Sequence, residues 1–268
     1  MATPSRAEII ALANQKGGVG KTTTAVNLGA ALAAAGCRVL LLDLDPQANA
    51  TSHLGYDKRS LNRSIYEALI NRVSLDQVIF ITNRLRLDLV PAAPELAGAE
   101  IEMVGMLARE HLLRRALDSV RDHYDYILLD PPPSLGLLTV NALTAADFVI
   151  IPVQTEYLAL EGLSQLVSTI ELVRDQLNPE LRVGGLLLTM YDARTNLAAE
   201  VAAEVRRHFP GLVFDNVIPR NIRLSEAPSY GETIYEYDPR SAGAIAYAHV
   251  AEELIRRTRI RGAGSGSG

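Results

Sequence analysis

Short apolar runs alternate with longer stretches of helical character along most of the chain. Several runs are continuous Leu, Ile and Val, which is typical of parallel strands covered on both faces. The predicted strands are residues 9–14, 39–43, 87–91, 126–130, 148–153, 185–189 and 213–218. The predicted helices are residues 21–35, 64–71, 109–122, 137–145, 158–177, 197–208 and 242–259. This alternation predicts a single-domain α/β fold: a doubly wound, mostly parallel twisted sheet with helices on both faces.

Two segments depart from this regular pattern. Residues 51–86 show no clear period, and we predict short helices mixed with loop there. Residues 262–268 read Gly-Ala-Gly-Ser-Gly-Ser-Gly, the composition of a flexible linker. We interpret them as a linker or tag remnant, so the predicted domain covers residues 1–261.

The most specific motif joins the first predicted strand to the first predicted helix. It reads Gln15-Lys16-Gly17-Gly18-Val19-Gly20-Lys21-Thr22-Thr23. Three glycines let the backbone amides turn around a polyphosphate, and the helix N-terminus adds a partial positive charge. We therefore predict that residues 16–23 bind a nucleotide. Lys21 would reach the β- and γ-phosphates, and the Thr22 hydroxyl would ligate Mg²⁺.

The loop differs from the common phosphate-binding pattern at two points. The first glycine of G-x-x-x-x-G-K-[ST] would fall at Gln15, so the strict pattern fails. The deviant form K-G-G-x-G-K-[ST] does match, and it brings a second lysine, Lys16. An ordinary phosphate loop does not need that lysine, which therefore requires a separate explanation.

Acidic residues end two of the predicted strands. Asp43 ends the strand at 39–43, with Asp45 two residues beyond it, and Asp130 ends the strand at 126–130. A carboxylate at such a position is typical of the Mg²⁺ shell opposite a phosphate loop, and we assign Asp130 and Asp45 to it. A lone strand-end acid is more often a cap or turn residue, and Asp43 is equally explained as a support for the loop.

Composition narrows the function classes. The formal net charge of −5 excludes a globally basic nucleic-acid binder but leaves room for a local basic face. The single cysteine, Cys37, excludes an intramolecular disulfide and a cysteine cluster held by one chain. No apolar run approaches the roughly 20 residues of a membrane span, and no signal peptide is recognisable. We expect a cytoplasmic protein.

Together the motifs resemble those of the ParA/Soj partitioning ATPases, the deviant Walker A class that serves chromosomes and plasmids. The match spans roughly residues 9–255. It rests on the loop at 16–23, on Asp43-Leu44-Asp45-Pro46-Gln47-Ala48-Asn49, and on Asp130-Pro131-Pro132-Pro133-Ser134. It continues in residues 152–154, 158–162, 189–195 and 217–229.

The resemblance implies a weak, dimer-dependent ATPase whose catalytic residues are Lys16, Lys21 and Asp45. Lys16 would reach across an ATP-sandwiched homodimer to the partner's phosphates, which explains the extra lysine. Gly17 would lie where the two subunits approach closely. Asp45 would orient the attacking water.

The same resemblance implies ATP and Mg²⁺ as cofactors. Thr23 would contact the α-phosphate, and Thr22 would hold Mg²⁺ with Asp45. Asp130 would contact the ion through water. Pro219 and Asn221 belong to a segment that resembles the loop around the adenine.

The resemblance also implies partners. ATP dimers of the family bind double-stranded DNA non-specifically, and the matching basic residues here are Arg194, Arg220, Arg223 and Arg240. Each alone is more often an ordinary solvated arginine, but as a group in matching positions they predict contact with DNA. A ParB/Spo0J-type centromere-binding protein would stimulate hydrolysis and release the dimer, so the ATP form would be nucleoid-associated. Four arginines at 256–261 fit either phosphate contact or a charged last helical turn.

One alternative function is a membrane-associated positioning ATPase of the MinD type, which shares the deviant loop. It needs a C-terminal amphipathic helix with bulky apolar residues. The end of this chain offers only Leu254, Ile255 and Ile260. We therefore expect no membrane partner.

Overall fold

The computed structural model describes residues 6–156 and 159–264. Within them the chain forms a six-stranded sheet with the order β3-β2-β4-β1-β5-β6. The strands are β1 (Glu8–Leu12), β2 (Val39–Asp43), β3 (Leu87–Val90), β4 (Tyr126–Asp130), β5 (Phe148–Gln154) and β6 (Arg182–Thr189). Every neighbouring pair is parallel. The predicted α/β fold with a doubly wound parallel sheet is confirmed.

Helices connect the strands and follow the last one. They are α1 (Lys21–Ala34), α2 (Asn49–His53), α3 (Ile65–Leu69), α4 (Leu96–Met103), α5 (Leu112–Leu117), α6 (Leu137–Ala145), α7 (Ala159–Gln176), α8 (Asn196–His208), α9 (Ile222–Glu226), α10 (Ile234–Tyr237) and α11 (Ala242–Gly264). The first residue of the predicted helix at 158–177 lies outside the described residues. α11 continues past residue 261, and residues 265–268 lie outside the described part, so the linker assignment stays a prediction.

Successive strand residues enter two separate cores. In β1, Ile9 and Ala11 belong to one buried cluster, and Ile10 and Leu12 belong to the other. Because side chains alternate along a strand, each cluster lies on one face of the sheet. Both faces are therefore covered, which explains why the strands read as continuous apolar runs.

The predicted strand at 213–218 is wrong as a continuous strand. Val213 forms an isolated parallel bridge with Leu186 of β6, and Pro219, just beyond the other end, forms one with Tyr191, two residues after β6. Between these two bridges the chain leaves the sheet, because two of its backbone amides donate hydrogen bonds to the carboxylate of Glu253 on α11. The Asp215 amide donates to Glu253 Oε1 at 3.0 Å, and the Asn216 amide donates to Oε2 at 3.3 Å.

The middle of the chain is more broken than its pattern suggests. The predicted helix at 109–122 consists of a 3₁₀ turn at Arg109–His111, α5, and a second 3₁₀ turn at Arg121–His123. Helix α4 had no counterpart among the predicted helices. The irregular region at 51–86 does mix short helices with loop, and α3 begins with a capping box between Ser64 and Glu67.

The strand order brings the polar strand ends together. β4 lies between β1 and β2, so Asp130 at the end of β4 pairs in register with Asp43 at the end of β2. The glycine loop leaves the same carboxyl edge at the end of β1. Ligands of open α/β sheets bind at this edge, where neighbouring connections diverge.

Candidate functional site

A cavity of about 590 Å³ opens beside the glycine loop. Seven of the predicted site residues line it: Gly17, Gly18, Gly20, Lys21, Thr22, Thr23 and Asp45. Gly18 and Gly20 have φ of +75° and +86°, in the left-handed region that disfavours other residues. No side chain caps the N-terminus of α1, so its first amides remain available to an anion.

The Val19 side chain does not line the cavity. It is buried, and its carbonyl accepts a hydrogen bond of 2.9 Å from Thr189 Oγ1 at the end of β6. Any contact between Val19 and a nucleotide would therefore use its backbone. The bond to Thr189 anchors the middle of the loop to a strand that lies two positions away in the sheet.

A smaller cavity of about 130 Å³ adjoins the first, because Gly20 and Thr23 line both. Pro219 and Asn221 lie in its wall together with apolar side chains such as Leu224. The Asn221 side chain caps α9 by accepting a 2.8 Å hydrogen bond from the Arg223 amide, which fixes its position. A slot of mixed polar and apolar lining next to a phosphate-sized cavity suits a flat base joined to a polyphosphate.

Asp130 is fully buried at the end of β4. Burial raises its pKa well above the ordinary value, and the charge of Asp43 adds to this; the Thr22 hydroxyl and the Lys21 ammonium act in the opposite direction. Although Thr22 is close, neither carboxylate oxygen of Asp130 accepts a hydrogen bond of normal geometry from the described residues. A buried carboxylate without donors is costly unless a cation or water balances it.

Asp43 and Asp45 have different surroundings. Asp43 is buried and accepts hydrogen bonds from the Asp45 amide at 3.1 Å and from the amide and hydroxyl of Thr51, both at 2.8 Å. Burial raises the pKa of Asp43 to about 6, against these hydrogen bonds. Asp45 turns one oxygen, Oδ1, to the Gln47 amide at 2.9 Å and faces the cavity. Asp43 therefore supports the loop, whereas Asp45 is placed to meet a ligand.

These groups fit Mg²⁺ together with a nucleotide. Among the described residues, no cluster of three or more His, Cys, Asp or Glu side chains could hold a metal ion by itself. Mg²⁺ normally takes one or two carboxylates and completes its shell with water and phosphate oxygens. The Thr22 hydroxyl, Asp45 and the donor-free Asp130 supply such an incomplete set. Burial lowers the pKa of Lys21, whereas the charges of Asp130 and Asp45 oppose that shift.

Lys16 lies beside the cavity and is not among the residues that line it. Its Nζ forms an ion pair of 3.1 Å with Glu156 Oε2, and both side chains are 46% exposed. The Lys16 amide donates to Asn14 Oδ1 at 3.0 Å. In a single chain this lysine therefore points to the end of β5, and its proposed reach to a second subunit remains a prediction.

Comparison with known proteins decides the family. Residues 7–183 match the family model described as an AAA domain. The chain is 57% identical to the sporulation initiation inhibitor protein Soj of Bacillus subtilis over 92% of this chain and 98% of that protein. It is 53% identical to the chromosome partitioning protein ParA of Myxococcus xanthus, covering 93% and 88% of the two chains. The chain belongs to the Soj/ParA family of P-loop ATPases.

A solved structure extends this comparison to the fold. It carries the name cobyrinic acid a,c-diamide synthase from Mycobacterium smegmatis and was determined with a bound ATP analog and magnesium. It superposes with a TM-score of 0.84 at 40% identity and covers 94% of this chain and 96% of that one. The Soj/ParA resemblance read from the motifs is confirmed, and so is the fold.

The four arginines expected to contact DNA fall into two groups in this Soj/ParA protein. Arg194 and Arg220 line a shared cavity near the ends of β5 and β6. Arg223 on α9 lies beside Glu226 and Asp238, and the Arg240 amide donates to Asp238 at 3.3 Å. Arg220 also lines the base cavity, and contact of the four arginines with DNA stays a prediction.

One arginine of the C-terminal tail has a structural role. Arg257 forms an ion pair of 2.7 Å with Glu253 and lies 4.3 Å above the Phe214 ring. It also donates to the Val213 carbonyl at 2.9 Å. For this residue the structure favours packing over phosphate contact. The Arg261 side chain lies outside the described residues.

Motif reading left one side of the cavity unassigned. Gln47, Asn49, Ser52 and His53 line it, as do Met190 and Pro228. His53 is buried, its Nε2 has no hydrogen-bond partner within the described chain, and burial together with the Arg84 charge lowers its pKa to about 4. Gln47 and Asn49 stood in a recognised motif, but only the position of α2 brings His53 to the same cavity.

Proposed function

We propose that this chain is an ATP-dependent DNA-segregation ATPase. Its ATP-sandwich homodimer would bind double-stranded DNA non-specifically, and hydrolysis would release it. The observation that carries its ATPase part is the buried carboxylate of Asp130, which accepts no hydrogen bond of normal geometry from the described residues, together with a phosphate loop that also carries Lys16. The partitioning relatives support the rest. The related structure with an ATP analog and magnesium supports ATP and Mg²⁺ as the ligands.

The residues of the site have distinct tasks in this mechanism. The amides of residues 17–23 and the Lys21 ammonium bind the phosphates and fix the γ-phosphate for in-line attack. Asp45 orients the attacking water. Pro219 and Asn221 position the base. When bound through Thr22, Asp45 and Asp130, Mg²⁺ supplies charge that stabilises the transferring phosphoryl group.

Lys16 and Gly17 would form the second half of the site in the dimer. To reach the partner's phosphates, Lys16 must first break its ion pair with Glu156. Because both side chains are exposed, this ion pair is weak and breaking it costs little free energy. A lysine delivered in trans stabilises charge in the transition state as an arginine finger does. The nucleotide thus holds the dimer together, and hydrolysis sets the time of release. A ParB-type protein would be the stimulating partner.

DNA binding by the ATP form should depend steeply on salt. If each protomer neutralises three phosphates, a dimer contacts roughly six, and log K should fall with log salt at a slope of about −5. The measurement is retention of a random-sequence duplex with ATP and Mg²⁺ across a salt series. Affinity that is indifferent to salt, or a footprint confined to one sequence, would contradict non-specific phosphate contact.

Within the described residues, the C-terminal helix does not present the apolar face that the membrane alternative needs. Of the apolar residues near the C-terminus, Leu254 is only 2% exposed and packs in the core, and Ile255 is half-buried. The Ile260 side chain lies outside the described residues. Among the described helices, none has the length and apolar character needed to cross a bilayer.

A further inference from the structure

We infer that Asp192, Glu226 and Asp238 are internal counter-charges that compete with DNA phosphates for the arginines of the DNA-binding face. Of the three, Glu226 is the residue that positions Arg223. The inference rests on the proposed DNA-binding function and adds the residues that set its affinity.

The first arginine–carboxylate group lies in the loop after β6. Arg194 binds Asp192 in a bidentate manner, with Nε–Oδ1 at 2.8 Å and Nη2–Oδ2 at 2.7 Å. The Arg194 side chain is 85% exposed, whereas Asp192 is 20% exposed, so the carboxylate is the fixed member of the pair. Arg220 also lies within the field of Asp192. A fork-shaped guanidinium already occupied by a carboxylate is not free to take a phosphate in the same way.

The second group surrounds Arg223 on α9. Arg223 Nη1 lies 2.9 Å from Glu226 Oε2, and Nε lies 3.6 Å from Asp238 Oδ2. The Tyr237 hydroxyl donates to the same Glu226 oxygen at 2.9 Å, which fixes the carboxylate. Arg223 is therefore held between two acids, one of which is itself held in place.

The acids of the two groups reduce the net positive charge that the arginines present to DNA. Of the four arginines, two have their guanidinium groups in ion pairs: Arg194 with Asp192, and Arg223 with both Glu226 and Asp238. In the described part of the chain, Arg240 contacts Asp238 only through its backbone amide. Exposed ion pairs are weak, so a phosphate can replace a carboxylate, but each replacement reduces the gain from binding. Acidic residues of the same chain thus limit the DNA affinity of the basic face, which suits a protein that must leave DNA after each cycle.

The second group, around Arg223, lies between two residues that line the nucleotide cavities. Asn221, one residue before α9, lines the base cavity, and Pro228, two residues after it, lines the phosphate cavity. The helix that carries Arg223 and Glu226 is therefore bounded by nucleotide-cavity residues on both sides. A nucleotide in these cavities would therefore touch the residues on either side of Arg223 and Glu226, and we expect it to influence the balance between Glu226 and phosphate for Arg223.

The test is the Glu226→Gln variant, which keeps an acceptor for Tyr237 and removes the charge. In the presence of ATP and Mg²⁺, we expect tighter binding of a random-sequence duplex, by about eightfold per contacting protomer at 0.1 M salt, and a salt slope steeper by about 0.9 per protomer. Asp192→Asn should act in the same direction from a different loop. Glu226→Asp should stay near the parent affinity because it keeps the charge.

The matched control is Asp118→Asn, which removes one acidic charge from an exposed ion pair with Arg6, next to the amino end of β1. It should leave DNA affinity and slope unchanged. If Glu226→Gln and Asp118→Asn bind DNA with the same affinity and salt slope, the inference is wrong. If thermal melting shows that Glu226→Gln is unfolded, the comparison of Asp192→Asn with Asp118→Asn replaces this test. Absence of DNA retention by the parent ATP form at low salt would instead contradict the proposed function itself.

Discussion

Asp45→Ala is expected to bind ATP and Mg²⁺ and to form the dimer, but to hydrolyse ATP at least about 100-fold more slowly, the effect of losing a positioned acid–base group. Asp45 faces the cavity with one oxygen held by the Gln47 amide. The second oxygen has no hydrogen bond in the described structure and is available to a water molecule. Phosphate release measures the rate, and binding of a fluorescent ATP analogue measures occupancy.

Asp45→Asn separates catalysis from loop structure. The amide oxygen can still accept from Gln47, so the loop keeps its hydrogen bond while the negative charge is lost. We expect this variant to be as slow as Asp45→Ala. An Asp45→Ala protein that turns over ATP at the parent rate would show that another group orients the water.

Lys16→Ala and Gly17→Val are expected to bind nucleotide with nearly normal affinity and to remain monomeric with ATP, so dimer-dependent hydrolysis is lost. A Cβ at Gly17 would meet no atom within 4 Å, so the position is open and we expect a valine there to act mainly on a ligand or a second subunit. Removing Lys16 breaks an exposed ion pair, which costs about 0–1 kcal/mol of stability. Light scattering with ATP and Mg²⁺ measures the oligomer.

Arg174→Ala is a suitable control for Lys16→Ala. Arg174 on α7 is also 46% exposed and also pairs with an acid, Asp175, at 3.3 Å. It should dimerise as the parent does. If both loop variants formed a normal ATP dimer, Lys16 and Gly17 would have no role between subunits.

The sequence was most informative where structure depends on local pattern. The loop at 16–23, the strands around it and the strand-end acids Asp45 and Asp130 follow from neighbouring residues, and the fold places all of them at one edge of the sheet. The seventh predicted strand failed because its amides bind Glu253, which lies 38 residues away along the chain from Asp215. No local pattern shows such a competitor.

Contacts between residues that are distant along the chain also explain which residues of the site the motifs did not identify. The counter-charges on Arg223 come partly from Asp238, fifteen positions further along a different segment. His53 reaches the cavity only because Asp43 holds the start of α2 through Thr51. Residue type and spacing identify the groups that touch phosphate, whereas their supports and competitors depend on tertiary contacts.

The central claim is that ATP makes this chain a dimer and that the dimer is the form that binds DNA. Light scattering with and without ATP and Mg²⁺, run in parallel with duplex retention, tests it most directly, and the slow Asp45→Ala variant prolongs the ATP state. We predict one chain per particle without nucleotide, two with ATP, and retention of DNA only by the two-chain form. Equal mass in both conditions, or equal DNA retention by the nucleotide-free monomer, would contradict it.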